Sequence, residues 1–408
     1  MHLTREEESA LNGESGIGIQ TAMGLLIDVG EFYDADRLIP IESTHISGVS
    51  YLTGGDGLVD ILDFFVEKGA KTKVYSTLNP SGMDRDNWES HFIDLDFATK
   101  QLRILRNFEA MGVSTTCSCT PYDFGHILTK GQHVAWAESS AITFANSFFG
   151  ARTNKEDSLT VLSASITGKT INYGFHLSEN RIPNVLVNNE SSLKEYADYS
   201  ILGEIVGKEF NHLPFKFGAI PLFKGIKTPR PFEMKGLGAA LASFGTHLFH
   251  IENITPEIEL YKNLKYSDFQ EEITVTDDMI EEMYESFKPP EDSQIAVIGC
   301  PNASYEEILE IVELTKGKKV IQNKEFWLFT NRAQRALAES SNIIEELQER
   351  GIKILVDTCP EVTPYDKSRF SSVLTNSVKA QHYISAPSLN NLPTYILPIR
   401  RIVEVMFE

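Results

Sequence analysis

Cysteine is scarce in this sequence, and so are basic residues relative to acidic ones. Four cysteines occur among 408 residues, too few for a disulfide framework, so the thiols are expected to be reduced core residues, nucleophiles or metal ligands. Lysine and arginine number 37 against 57 aspartates and glutamates, which gives a net charge of −20. This balance argues against a nucleic-acid partner or an anionic membrane surface, although a local positive pocket could still hold an anionic substrate.

Long apolar runs are missing as well. No stretch approaches the roughly 20 apolar residues that a membrane-spanning helix needs, and the first residues, MHLTREEESALNG, are too acidic and polar for a signal or transit peptide. These absences predict a cytoplasmic protein without a membrane partner. The remaining composition, with 42% hydrophobic residues and 27 glycines, is that of a globular chain long enough for two or three domains.

Strand, loop and helix patterns alternate along the chain. RLIPIESTHISG predicts a buried strand that ends in a glycine turn, GLVDILDFFVEKG has helical periodicity, and TKVYSTLNPSG predicts a strand that enters a loop. This alternation predicts an α/β fold with parallel or mixed sheets and flanking helices. We expect an N-terminal and central α/β region at 1–287, a linker at 288–294 within FKPPEDSQ, and a C-terminal doubly wound domain at 295–408.

The C-terminal domain carries reactive groups after three of its predicted strands. Cys300 follows QIAVIG, Cys359 follows IKILVD, and Lys379 follows SSVLTN. The carboxyl ends of parallel strands are where α/β folds build their sites, and a proline directly follows both cysteines, as in ferredoxin sequences. A buried cysteine is most often a small hydrophobe, but this shared placement favours a metal or iron–sulfur site.

The other two cysteines lie close together in TTCSCTPYDFG. Zinc is the main competing metal, but it favours C-x₂-C pairs, which the sequence lacks. Because C-x-C is tight for two ligands of one small cluster, we expect only one of Cys117 and Cys119 to coordinate. Three thiolates would leave one iron open as a Lewis acid, whereas four would close the cluster and favour electron transfer.

Seven segments resemble the large subunit of the aconitase X family, in order and over essentially the whole chain. They are HISGVSYLTGGDG, STLNPSGMD, TCSCTPY, HVAWAESSAITFANSFFGARTN, GCP, DTCP and TNSVKAQHY. Archaeal members of this type are phosphomevalonate dehydratases, and bacterial relatives include cis-3-hydroxy-L-proline dehydratases. The resemblance implies a multi-domain, aconitase-superfamily-like fold and a hydro-lyase that converts (R)-5-phosphomevalonate to trans-anhydromevalonate 5-phosphate. A cis-3-hydroxy-L-proline dehydratase and a non-catalytic iron–sulfur protein are the alternatives.

The resemblance also implies the residues of the site. The iron–sulfur cluster, [4Fe-4S] or a smaller form such as [3Fe-4S] or [2Fe-2S], is expected on Cys119, Cys300 and Cys359, which leaves Cys117 as the spare thiol. Glu138 and Lys379 are the catalytic candidates. The expected substrate contacts are Gly48, Val49, Ser50, Asn79, Pro80, Glu138, Ser139 and Lys379.

Residue type alone gives several of these positions simpler roles. Glu138 suits the start of a helix, Ser139 suits a helix cap, and Asn79-Pro80 suits a turn, so the resemblance is what raises them to site residues. It further implies a small partner subunit that supplies a swivelling domain and a serine as proton acceptor. One departure from the archaeal pattern lies in GCPNAS, where Asn302 takes the place of a histidine.

Overall fold

The computed structural model describes residues 1–91, 93–290 and 292–408. Its strands are β1 (Leu38–Pro40), β2 (Ser43–Ile46), β3 (Tyr75–Leu78), β4 (Ala135–Trp136), β5 (Lys169–Ile171), β6 (Val185–Asn189), β7 (Pro221–Lys224), β8 (His250–Ile251), β9 (Glu271–Val275), β10 (Ile295–Ala303), β11 (Glu325–Thr330), β12 (Ile352–Leu355), β13 (Val373–Thr375) and β14 (Thr394–Ile396).

The strands alternate with α-helices, which makes the chain an α/β protein, as the sequence predicts. The helices are α1 (Arg5–Leu11), α2 (Ile17–Phe32), α3 (Tyr51–Glu67), α4 (Leu95–Met111), α5 (Ser139–Phe144), α6 (Ser158–Thr167), α7 (Tyr196–Phe210), α8 (Pro231–Ser243), α9 (Asp277–Ser286), α10 (Tyr305–Leu314), α11 (Arg332–Glu339), α12 (Ile343–Glu349), α13 (Val378–Ile384) and α14 (Ile399–Met406).

The N-terminal sheet has the strand order β3-β2-β4, with parallel pairing throughout. RLIPIESTHISG contributes to two sheets rather than forming one strand, because β1 pairs with β5 in an antiparallel ribbon while β2 is the centre of the N-terminal sheet. All four residues of β2 are buried, so the strand carries its side chains into packed surroundings on both faces.

The central sheet has the order β8-β7-β6-β9 and is also parallel. Its apolar side chains pack with those of α7 and α8 in one core cluster. The segment 288–294, predicted to be a linker, joins α9 to β10, and Glu291 within it lies outside the described residues.

The C-terminal sheet has the order β12-β11-β10-β13-β14, again parallel. Its first strand in sequence, β10, lies in the middle, so the chain winds outward in one direction and then in the other. Such sheets bind ligands at the carboxyl ends of the strands, where this reversal opens a crevice. Here the reversal lies between β10 and β13.

The described residues contain no helix long and apolar enough to cross a membrane.

Candidate active site

Cys300, Cys359 and Lys379 all lie at the carboxyl end of the C-terminal sheet. Regular pairing of β10 with β11 stops at Ile298, so Cys300 lies in an irregular end of the strand rather than after it. Gly299 there has φ 101°, and a Cβ on it would lie 2.0 Å from the Phe329 carbonyl oxygen. The backbone must therefore bend where only glycine fits, and the Cys300–Pro301 peptide after this bend is cis.

The loops after β12 and β13 bring the other two groups to the same edge. Cys359 lies four residues beyond β12, in a turn, and Lys379 lies in the first turn of α13. Ser377 caps that helix by accepting a hydrogen bond from the Ala380 N–H at 3.3 Å, which fixes the start of α13 and hence the position of Lys379.

Asn302 joins the loops of the three candidate cluster ligands. Its Oδ1 accepts from the Cys119 N–H at 3.2 Å and from the Ser118 hydroxyl at 3.0 Å, and its own N–H donates to Cys119 Sγ at 3.2 Å. Its Nδ2 donates to the Thr358 carbonyl at 3.3 Å, directly before Cys359. One amide therefore sets the spacing between a loop of the N-terminal region and two loops of the C-terminal sheet.

The four thiols are buried and unoxidised, but they occupy two pockets. The charges that act on Cys300 include those of Cys359 and Cys119, and Cys119 also acts on Cys359. Burial is the first cause that raises the pKa of each of these thiols. We call their surroundings the Cys119 pocket and those of the fourth thiol the Cys117 pocket. The charged residues of the Cys119 pocket are Glu138, Glu361 and Lys379, and those of the Cys117 pocket are Arg85, Arg332, Asp357 and Glu109.

Lys379 and Glu138 form a buried ion pair at the centre of the Cys119 pocket. Burial opposes charge on both, yet the attraction between them prevails: the pKa of Glu138 is lowered and that of Lys379 is raised. Glu138 is also the N-cap of α5, where it accepts from the Ala141 N–H at 2.6 Å and from the Ser140 hydroxyl at 2.7 Å. So tightly held a carboxylate is a weak base, and the geometry favours an orienting role for it.

Glu361 completes the Cys119 pocket, and the sequence interpretation missed it. Its Oε1 accepts from Cys300 Sγ at 2.9 Å and lies 3.6 Å from Lys379 Nζ. Burial raises the pKa of this carboxyl group. An acidic residue two positions after Cys359 in DTCPE was the available signal.

The predicted substrate residues Gly48, Val49 and Ser50 form the turn between β2 and α3. Gly48 has φ 69°, which favours glycine, and a Cβ on it would lie 2.1 Å from Ser158 Oγ, so a larger residue would be strained and would displace the Ser158 side chain. Ser50 is the N-cap of α3, and its Oγ lies 3.5 Å from the Val362 carbonyl oxygen in the loop after Cys359. The turn therefore faces the C-terminal sheet at the start of α3, whose backbone departs from helical geometry at Gly55.

Asn79 and Pro80 follow β3 at the same edge. Asn79 donates its backbone N–H to the Ile46 carbonyl at 2.8 Å, while its side-chain Oδ1 is buried without a partner among the described residues. Pro80 is buried, and the next residue, Ser81, donates both its N–H and its hydroxyl to the Asp357 carbonyl at 2.8 and 2.9 Å. Ser139, in contrast, is partly exposed and only approaches Glu138, at 3.5 Å.

Asp357 ties the N-terminal region to the C-terminal sheet, and nothing in the sequence signalled it. It has φ 64°, and its fully buried carboxylate receives two hydrogen bonds from Arg85, at 2.9 and 3.0 Å, and two from Arg332, at 2.8 and 2.5 Å. Bidentate pairs of this kind impose a fixed geometry. Asp357 thereby holds the loop that leads to Cys359.

The three thiols of the Cys119 pocket come from separate segments of the chain. A cluster takes one thiolate on each of several irons, so its ligands come from separate loops, as Cys119, Cys300 and Cys359 do. In the part of the chain that the structure describes, no three His, Cys, Asp or Glu side chains converge as the ligands of one ion would. The donor set therefore fits the cluster that the sequence predicts.

Comparisons with known proteins agree over the whole chain. Models of the aconitase X first, second and third domains match residues 1–179, 183–285 and 293–408. The phosphomevalonate dehydratase large subunit of Methanosarcina mazei is 42% identical over 94% of this chain and 92% of its own length. The crystal structure of Thermococcus kodakaraensis aconitase X (holo-form) superposes with a TM-score of 0.89 at 38% identity, covering 100% of both chains.

A more distant relative is the cis-3-hydroxy-L-proline dehydratase of Pseudomonas aeruginosa, 28% identical over 94% of this chain and 66% of its own length. The family models, the solved structure and both kinds of relative lead to one conclusion. The chain belongs to the aconitase X family.

Proposed function

We propose that this chain is the large subunit of an iron–sulfur dependent hydro-lyase that converts (R)-5-phosphomevalonate to trans-anhydromevalonate 5-phosphate. The observation that carries the proposal is its match to a phosphomevalonate dehydratase large subunit along nearly the full length of both chains. The hydroxyproline dehydratase shares less identity, and this chain spans only two thirds of it. Phosphomevalonate is therefore the preferred substrate.

The cluster would be held by Cys119, Cys300 and Cys359, as [4Fe-4S] or a smaller form. When bound through three thiolates, it supplies an open iron that acts as a Lewis acid toward the leaving hydroxyl group. Cys117 lies outside this set because its charged neighbours are the two arginines, the aspartate and the glutamate of its own pocket. Its proposed role is structural.

The chain's own residues bind and orient an anionic substrate. Lys379 carries a positive charge into a buried site, where it can pair with a carboxylate or phosphate, and Glu138 holds its ammonium group in place. Gly48, Val49 and Ser50 would contact the substrate from the segment that leads into α3, through their backbone N–H groups. The amide of Asn79 adds a further donor.

Proton abstraction is assigned to a partner. The relatives are named large subunits, which implies a small subunit, and we propose that it covers the site and supplies the proton acceptor. Glu138, the catalytic carboxylate that the sequence predicts, is engaged by Lys379, Ser140 and the Ala141 N–H, so it is a weak base. The complete enzyme is proposed to be a cytoplasmic heterodimer.

The test is to purify the chain anaerobically with its small subunit and to assay both substrates. We expect turnover of (R)-5-phosphomevalonate at least about 100-fold more efficient than that of cis-3-hydroxy-L-proline, a difference that a few lost polar contacts can produce. Turnover of hydroxyproline alone contradicts the substrate assignment. A pair that carries an intact cluster and turns over neither compound is a non-catalytic iron–sulfur protein.

A further inference from the structure

Buried polar side chains form a hydrogen-bonded series through the N-terminal sheet, beside the candidate active site. Its members are Ser43, His126, Thr77 and His45, each less than one tenth exposed. His45 and Thr77 are register partners on β2 and β3. The sequence interpretation gave none of the four a role in binding substrate or cluster.

The contacts run in one line from Ser43 to Asn79. Ser43 Oγ lies 2.7 Å from His126 Nε2, His126 Nδ1 lies 3.3 Å from Thr77 Oγ1, and Thr77 Oγ1 lies 2.8 Å from His45 Nδ1. Beyond His45 Nδ1 no hydrogen bond continues the series. His45 Nε2 and Asn79 Oδ1 are both buried without a partner among the described residues. The two residues are neighbours in space, because the Asn79 N–H donates to the carbonyl of Ile46, the residue after His45, at 2.8 Å; the Asn79 side chain also raises the pKa of the His45 ring, against the larger effect of burial.

The hydrogen bonds of this series all run in one direction, because each side chain has a fixed number of protons to donate. Burial lowers the pKa of His45 to about 3 and that of His126 to about 4, so each ring is neutral, with one N–H and one acceptor nitrogen. The single proton of the Thr77 hydroxyl has its short contact with His45 Nδ1, whereas the alternative, the Thr44 carbonyl, lies 3.4 Å away. Donation to Nδ1 leaves the ring proton of His45 on Nε2, which faces Asn79.

The same direction satisfies the hydrogen-bonding groups of His126 and Thr77. His126 Nδ1–H donates to Thr77, and the Ser43 hydroxyl donates to His126 Nε2, so His126 and Thr77 each donate once and accept once. The opposite direction would place the lone pair of His45 Nε2 against the oxygen of Asn79, two acceptors that repel each other. The Thr77 hydroxyl, through its short contact with Nδ1, thus determines which atom His45 presents to Asn79.

We propose that His45 is a positioning residue that orients the Asn79 side chain for anion binding. Its Nε2–H donates to Asn79 Oδ1, which turns the amide NH₂ toward the substrate. A carboxylate or phosphate only accepts hydrogen bonds, so an amide that presents its NH₂ attracts it and one that presents its oxygen repels it. The inference rests on the proposed function, in which Asn79 contacts the substrate.

The kinetic test uses the enzyme with its small subunit. His45→Phe keeps a ring but removes the donor, and His45→Gln restores an N–H near the position of Nε2. We expect His45→Phe to raise KM for (R)-5-phosphomevalonate about tenfold with kcat changed by less than about threefold, and His45→Gln to recover most of the loss. The matched control is His250→Phe, which removes a buried histidine bonded to the Arg181 carbonyl at 2.9 Å and should leave KM unchanged.

A fall in kcat at unchanged KM, or equal losses in the phenylalanine and glutamine variants, overturns the proposal. A second measurement needs no turnover: ¹⁵N NMR of the histidine-labelled full chain reads the tautomer of His45. We expect the proton on Nε2, and a loss of this preference in Thr77→Val, which keeps the side-chain shape without the hydroxyl. A proton on Nδ1 in the wild-type chain overturns the proposal whatever the substrate is.

The two failures are distinguishable. If the wild-type large and small subunits together act on neither phosphomevalonate nor cis-3-hydroxy-L-proline, the proposed function is contradicted. The tautomer of His45 still decides whether its ring presents an N–H to Asn79.

Discussion

Cys117 and Cys119 are two residues apart and similarly buried, yet they lie in different pockets. Their exposed fractions are 0% and 4%, and burial raises the pKa of both thiols to about 12. Cys117 has φ 46°, a left-handed conformation that breaks the alternation of an extended strand. The two side chains therefore do not share a face, contrary to what the C-x-C spacing suggests.

The difference teaches that neighbouring charges, rather than burial or thiol acidity, distinguish the two cysteines. The Cys117 pocket balances two guanidinium groups with the carboxyl groups of Asp357 and Glu109. The Cys119 pocket holds two carboxyl groups around one ammonium group, together with two further thiols. The positive charge of a metal would be favoured in the Cys119 pocket, because it would lower the pKa of every thiol there.

The largest expected contrast comes from removing each thiol in turn. Cys119→Ala should lose most of its iron and sulfide and at least about 1000-fold in dehydratase activity, since the Lewis acid is gone. Cys117→Ala should keep both iron and activity and lose only about 1–2 kcal/mol of unfolding free energy through the small cavity. The measurements are iron and sulfide content, the EPR spectrum and turnover after anaerobic purification. Equal cluster loss in both variants would point to four thiolates and electron transfer.

The next contrast concerns the ammonium group of the Cys119 pocket. Lys379→Met should abolish turnover and destabilise the chain by about 3–5 kcal/mol, because it leaves Glu138 charged and buried without its partner. The double variant Lys379→Met/Glu138→Gln should recover most of the stability in urea unfolding but none of the activity. Recovery of activity in the double variant would show that the pair serves only the fold.

The smallest effect is expected in the Cys117 pocket. Arg85→Met leaves Asp357 with both hydrogen bonds from Arg332, so we expect a loss of about 1–2 kcal/mol in urea unfolding with unchanged iron content. Arg335→Met, which breaks a surface pair with Glu339, is the matched control and should cost less than about 0.5 kcal/mol. Iron loss in Arg85→Met would mean that the two pockets act as one.

Local patterns predicted the fold and the edge of the sheet on which the site lies. Cys300, Cys359 and Lys379 each come after a recognisable apolar strand, and the loops that leave parallel strands meet at one edge of the sheet. The same reasoning was wrong for RLIPIESTHISG, since periodicity describes buried segments without saying which partner strand each one takes. The bend within β10 was missed because it depends on the close approach of Phe329 to Gly299.

The parts of the site that the sequence could not predict are contacts between distant residues. Asp357 meets Arg85 across 272 positions, and Asn302 meets Cys119 across 183. Neither aspartate nor asparagine in a loop carries a local signal for such a partner, because both residues are common in turns for reasons of their own. The ligand set and the substrate contacts stay predictions until the variants above are measured.

Asn302 also bears on the order in which the protein matures. At a synthesis rate of roughly 5–20 residues per second, Cys119 leaves the ribosome roughly 10–40 s before Cys300 and Asn302 emerge. During that interval the Cys119 loop lacks the amide that accepts from its N–H and the backbone donor that meets its sulfur. The nascent N-terminal region therefore carries only one of the three proposed ligands. A cluster held as proposed would be inserted late, into a chain whose C-terminal sheet has already folded.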